Sequence, residues 1–287
     1  MITDMILSPR DETVEDGLTT AQGWPAYAQA LRGTLRRSLD AGGIRELEIS
    51  GLMVSTPPSG PDSTLRNGQQ ITAARAAELA IGMAGGDGPY CMLSHPGKLQ
   101  IVSGWDGAIH LLLTAEAAAR MLLPSTDDEA LIIETRPGVL DVDEPAVDPV
   151  EEVADDAFWN SVAEAAADRL TLLCERWADG AHGSTWYRVT QDNVRLIASA
   201  VSPRSLICVA VAPDLRPDLD LTEHGFTAFA PSPQPGRLAH RFFACGSEDV
   251  EGTVASGFSL TLLESAFTSC AVVPDPDGVV RADWDRP

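Results

Sequence analysis

A chain of 287 residues with 44% hydrophobic content is long enough for two ordinary domains with real cores, although 20 prolines and 24 glycines require substantial loops. Its net charge of −22 is spread as −7 over residues 1–140, −8 over 141–156 and −7 over 157–287. A field of that sign repels phosphate backbones, which excludes nucleic acid and anionic membrane as natural partners and favours a basic protein; acidity that only keeps the chain soluble is the alternative.

The chain opens on MITDMILSPRDET, with charges too early for a signal peptide and no apolar h-region. The longest apolar stretch, AIHLLLTAEAAARMLL, is broken by His110, Glu116 and Arg120, so no span is read there and a cytoplasmic location is expected. GWPAYAQALRGTLRRSLDAGG places Trp24, Tyr27, Ala28, Leu31, Leu35 and Leu39 on one helical face, with Pro25 in the first turn and Gly42-Gly43 at the end. RELEISGLMVS reads as a strand, STPPSGPDSTLRNGQQ as a loop, and ITAARAAELAIGMAGG as a helix stopped by Gly85-Gly86. Three short strands follow, PYCMLSH, KLQIVSG and AIHLLLT, turning at Pro96-Gly97 and at Asp106-Gly107, a hairpin signal. TAEAAARMLL is a helix with Thr114 as its cap, and ALIIETR a last strand.

Residues 141–156 hold eight acids and no base. After Asp141 and Asp143 comes Pro145, with no glycine at the turn, so a calcium loop of the helix-loop-helix kind is not formed, and the stretch reads as an acidic linker. It ends as the cap of a second amphipathic helix, DDAFWNSVAEAAADRLTLLCERWADG, with Phe158, Val162, Ala165, Ala166, Leu170, Leu173 and Trp177 on one face and Gly180 as the stop. STWYRVT, NVRLIASAV and LICVAVA read as strands, the last two joined by a turn at Ser202-Pro203. DLRPDLDLTEHG has room for one short helix; GFTAFAP and LAHRFFAC are two more strands. SEDVEGTVASGFSLTLLESAFTSC closes as a helix, weakened by Gly252 and Gly257. The organisation expected is α+β: a domain over 1–140, the linker 141–156, a second α+β domain over 157–275, and a tail, 276–287. Each domain carries an antiparallel sheet flanked by helices, and segregated elements argue against a Rossmann-type fold.

No catalytic constellation emerges. GGDGPY lacks the Lys-Ser/Thr of a phosphate loop, no GxSxG occurs, and the five histidines and five cysteines form no HExxH or CxxC pattern. Cys174 and Cys208 sit in apolar segments, as small core residues do. Nothing asks for a cofactor or metal. Trp105 at a hairpin turn and the adjacent pair Trp186-Tyr187 are candidate contact residues, because neighbouring strand residues face opposite ways and one of the pair is expected at the surface. Asp141, Asp143, Glu144, Glu151 and Glu152 are candidates for electrostatic steering of a basic partner.

In FWNSVAEAAADRLTLLCERWADG, VRLIASAV…LICVAVA, HGFTAFAP and DVEGTVASGFSLTLLESAF, the second half resembles the type III secretion chaperone-like fold of the TY-Chap and YbjN-like families. The resemblance covers roughly 115 residues. It implies a non-enzymatic, acidic, often dimeric module that holds a segment of a basic or secreted protein. An immunity or antitoxin protein neutralising a basic toxin is the second reading, and an enzyme with a motif-free site the third.

Overall fold

The structure, a computed structural model, describes residues 1–10, 23–57, 59–86, 88–121, 130–140, 146–216, 226–234, 236–243, 250–261 and 267–287. It divides into two units, Met1–Glu144 and Pro145–Pro287, each α+β with its own antiparallel sheet, as the sequence led us to expect. Asp141, Asp143 and Glu144 of the expected contact set, Cys245, His224 and most of the short helix expected in 214–225 lie outside the described residues.

Unit 1 is built on strands β1 (Ile2–Pro9), β2 (Glu46–Met53), β3 (Gln70–Thr72), β4 (Tyr90–His95), β5 (Leu99–Ser103), β6 (Ile109–Thr114) and β7 (Leu131–Gly138), in the sheet order β3-β2-β4-β5-β6-β1-β7. Helices α1 (Trp24–Ala41), α2 (Ala73–Gly85) and α3 (Ala115–Met121) lie against it. Helix α1 buries Tyr27, Leu31, Leu35 and Leu39, the face read from their spacing. Thr72 caps α2 through the Arg75 amide, and Gly86, at φ +76°, ends it in the left-handed conformation. Arg32 on α1 grips Glu78 on α2 through two hydrogen bonds of 2.8 and 2.9 Å. Strand β1 was not expected. It inserts between β6 and β7 and supplies Met5 and Leu7 to the core, a role settled by partners more than 100 residues away.

Unit 2 contains α4 (Asp156–Asp168), β8 (Thr171–Arg176), β9 (Ser184–Val189), α5 (Val194–Ala200), β10 (Leu206–Val211), β11 (Phe226–Pro231), β12 (Arg237–Phe243), α6 (Val250–Ala255), β13 (Ser259–Thr261) and β14 (Phe267–Val272). The sheet runs β13-β11-β12-β9-β8-β10-β14. Three readings are corrected. The long helix stops at Asp168, and TLLCER is the strand β8, paired on both sides and buried on both faces. Such a short apolar run carries no period that tells strand from helix. NVRLIASAV is mostly the helix α5, which buries Val194 and Ile197 one turn apart. Among the described residues of the closing segment, helix runs over Val250–Ala255; Gly257 turns the chain at φ +85°, and β13 and β14 lie beyond it. The element order on which the resemblance was read is therefore met only in part.

Residues 146–156 of the segment expected as linker, and the expected tail, are parts of the second unit. Asp155 caps α4 through the Phe158 amide at 2.9 Å. Pro149 bridges Asp285, the Val150 amide donates to the Trp284 carbonyl, and the Arg286 amide donates to the Asp148 carbonyl. This two-stranded strap sets Val150 and Trp284 into one face of the sheet, with Leu172, Cys174, Trp186, Leu206, Cys208 and Phe229. Helices α4 and α5 cover the other face, where Leu173, Tyr187, Ile207 and Val209 pack. With both faces covered, Trp186 and Tyr187 are only 5% and 4% exposed, so neither reaches a partner from this surface. They still point to opposite faces; the expectation missed that each face has a lid.

His240 on β12 places Nε2 3.3 Å from the Ser184 hydroxyl. Burial, and secondarily the nearby His182, hold its pKa below the ordinary value. The unfolded chain therefore binds a proton that the folded unit refuses. The stabilising effect is fully present above about pH 6.5 and declines as pH falls through that value toward the folded pKa. Between pH 7.5 and 5.5, thermal stability is expected to fall less in His240→Gln than in the parent. Parallel Tm–pH curves would contradict this.

Candidate functional site

The β5–β6 hairpin closes on a two-residue turn in which Asp106 (φ 52°) and Gly107 (φ 75°) are both left-handed, the geometry that suits the twist of paired strands. The Ala108 amide donates to the Trp105 carbonyl at 3.0 Å, and the Gly104 amide to the Ala108 carbonyl at 2.8 Å. From α1, the buried Tyr27 hydroxyl donates to the Gly107 carbonyl at 2.6 Å and lies 3.2 Å from that of Leu7. Burial pushes the Tyr27 pKa up, so it remains a donor. The turn is thus pinned from beneath, and Trp105 stands at its tip 92% exposed.

Beside that tip lies a cleft of about 620 Å³, lined by Met83–Gly86 at the end of α2, Tyr90 at the start of β4, and Ser103–Gly107. Gly86 lies beside the Tyr90 hydroxyl, which a Cβ there would meet in ordinary contact at 3.7 Å; its left-handed φ of +76° is what calls for glycine. The described lining carries one charge, that of Asp106. The carboxyl end of α2 adds partial negative charge, so two half- or fully exposed aromatic rings and a negative potential converge on one space. Such a site can hold a cation against an aromatic face; among its described lining residues no nucleophile is paired to a base. Trp105 was foreseen from the Asp-Gly hairpin. Tyr90 was not, and the Gly85-Gly86 turn was read only as the stop of α2. The trace they leave in the sequence is a helix stop with an aromatic residue four positions after Gly86.

A second cluster in unit 1 is more chemical in appearance. Asp4 is buried, accepts from His110 Nδ1 at 3.0 Å with either oxygen and from Arg136 Nε at 3.0 Å. The other face of the ring lies on Gly104: a Cβ there would meet His110 Nε2 at 2.5 Å. Asp4 and Arg136 are direct cross-strand partners, and His110 is diagonal to Asp4, opposite Ile6. The carboxylate orients the imidazole as in a general base, yet Nε2 is packed on backbone, so the arrangement serves to tie β1 to β6 and β7.

In unit 2, Glu151 and Glu152 are exposed on the strap with Asp148 and Arg286, the last bridging Glu152 at 3.3 Å and Asp148 at 3.9 Å. Asp285 accepts the Val147 and Asp148 amides, and Asp283 that of Ala146. Much of this acidity is therefore employed in holding the strap. The structure brings Glu151 and Glu152 together and leaves Trp105 in the other unit. Among the described residues, no group of three or more His, Cys, Asp and Glu side chains is placed to hold a metal ion, and no helix is long and apolar enough to cross a membrane. Compared with protein-family models, with curated proteins and with solved structures, the chain finds no match.

Proposed function

We propose that the chain is a non-enzymatic protein-binding module that captures an arginine or lysine side chain of a basic partner in the Trp105–Tyr90 cleft. One observation carries this reading: an indole 92% exposed on a turn that Tyr27 and the local hydrogen bonds hold rigid. An indole left in water offers almost its whole apolar surface to a partner that covers it, and a turn backbone already fixed adds little ordering cost on binding. Asp106, the end of α2 and the net charge of −22 select a cation to do so. Glu151 and Glu152 contribute to the steering field. In this reading the module works in the cytoplasm in a chaperone-like manner, as the secretion-chaperone resemblance implies, and engages neither nucleic acid nor membrane.

The test is titration of short peptides carrying one arginine in a neutral background, followed by tryptophan fluorescence and calorimetry at low and high salt. Trp105→Ala is expected to weaken binding about tenfold, the effect of one desolvated cation–aromatic contact, while Tm stays unchanged. Equal affinity in the parent and in Trp105→Ala would overturn the proposal. Binding only to a folded basic toxin, and to no peptide, would favour the immunity-protein reading.

A further inference from the structure

Three buried cysteines form a row across neighbouring strands of unit 2. Cys208 on β10 stands directly opposite Cys174 on β8 and opposite Cys270 on β14. All three lie on the sheet face covered by Val150 and Trp284, and all are free. The sulfurs of Cys208 and Cys270 are 3.4 Å apart. We propose that Cys208 and Cys270 are a redox modification site, forming a cross-strand disulfide on exposure to a peroxide.

Direct cross-strand partners hold their Cα atoms about 4.5–5.5 Å apart, inside the range a disulfide spans, so closure to bonding distance needs side-chain rotation only. Cys270 is the attacking group. Its sulfur accepts the Cys208 S–H once ionised, which lowers its pKa against the opposing effect of burial; the same hydrogen bond, with burial, raises that of Cys208. Cys270 also lies on the last strand of the sheet, beside exposed Thr268 and Ser269. Cys174 is sealed at the centre, and burial pushes its pKa up.

The Cys270 thiolate attacks one peroxide oxygen, the O–O bond breaks, and the departing hydroxide takes up a proton as water, leaving Cys270 as a sulfenic acid. Cys208 then attacks that sulfur, the S–O bond breaks, and a second water leaves. Two thiols have lost two electrons and the peroxide has gained them. The product ties β14 to β10. Because Val272 on β14 donates to the Glu152 carbonyl and accepts from the Ala154 amide, it also fixes the strand that anchors the strap.

The experiment treats the full chain with hydrogen peroxide, blocks remaining thiols in denaturant and maps non-reduced peptides. The expected result is a Cys208–Cys270 peptide, an intact mass lower by two hydrogens, and a Tm raised by about 5–10 °C that a dithiol reductant reverses, since the bond closes a loop of 62 residues. Cys174→Ala should keep the linkage and Cys270→Ser should abolish it. A bond to Cys174 or Cys245, sulfinic acid accumulating at Cys270, or Cys208 left open to alkylation would each overturn the proposal; mapping of the parent chain decides even if Cys270→Ser fails to fold.

Discussion

Trp284→Ala is expected to destabilise unit 2 by about 3–5 kcal/mol, the range for removing a large aromatic side chain from a packed core. The indole is only 8% exposed and packs in the cluster with Val150, Trp186, Leu206 and Cys208. Its Nε1 donates to the Arg204 carbonyl at 2.9 Å, and the Arg176 guanidinium lies 5.0 Å over the ring. Truncation opens a cavity, leaves that carbonyl short of a donor and releases the strap, whose own hydrogen bonds run through residues 284–286. Trp284→Phe keeps most of the apolar area and forfeits the hydrogen bond, so about 1 kcal/mol is expected. Urea denaturation followed by circular dichroism measures both. A loss below about 1 kcal/mol for the alanine variant would mean that the strap is peripheral to the fold.

The second large effect is expected at Glu175, a carboxylate buried within the sheet of unit 2. One oxygen accepts the Ser202 amide at 2.7 Å and lies 3.4 Å from the Ser205 hydroxyl; the other accepts the Tyr187 hydroxyl at 3.2 Å. Burial first, and then the Glu175 charge, push the Tyr187 pKa up to about 12, so the phenol stays a donor across the neutral range. Glu175→Ala removes the acceptor of three donors at once, and a loss of about 3–6 kcal/mol follows if each costs between about 1 and 2. Glu175→Gln retains one acceptor oxygen and turns its amide NH2, a donor, toward the donors of Tyr187 or Ser202, so roughly half that loss is expected. Combining Glu175→Gln with Tyr187→Phe should cost less than the sum of the two. Strict additivity would show that the two side chains do not share the bond.

The same pair marks what the sequence could and could not convey. Strand β9 was legible from STWYRVT, and so was the alternation of Trp186 and Tyr187. Their burial was not, because one cover comes from helices α4 and α5 and the other from a strap whose halves lie more than 130 residues apart. Local pattern specifies local geometry: Thr72, Gly86, Asp106-Gly107 and Thr114 cap or turn where the residue types demanded. It fails for TLLCER and NVRLIASAV, where six to nine apolar-rich residues fit either period and the neighbouring strands decide. Of the candidate site, Trp105 was legible because its turn is two residues long. The rest of the cleft comes from α2 and β4, which no spacing rule connects to that turn.

The strap also makes the second unit a closed clasp. Pro149 and Asp285 are paired neighbours, so the chain enters and leaves this unit side by side. A domain of that kind can be spliced as an insertion into an exposed loop of an unrelated protein, with short tethers and little distortion of the host. Its ends can equally be joined and the chain reopened elsewhere, leaving the same sheet with a different order of strands along the polypeptide.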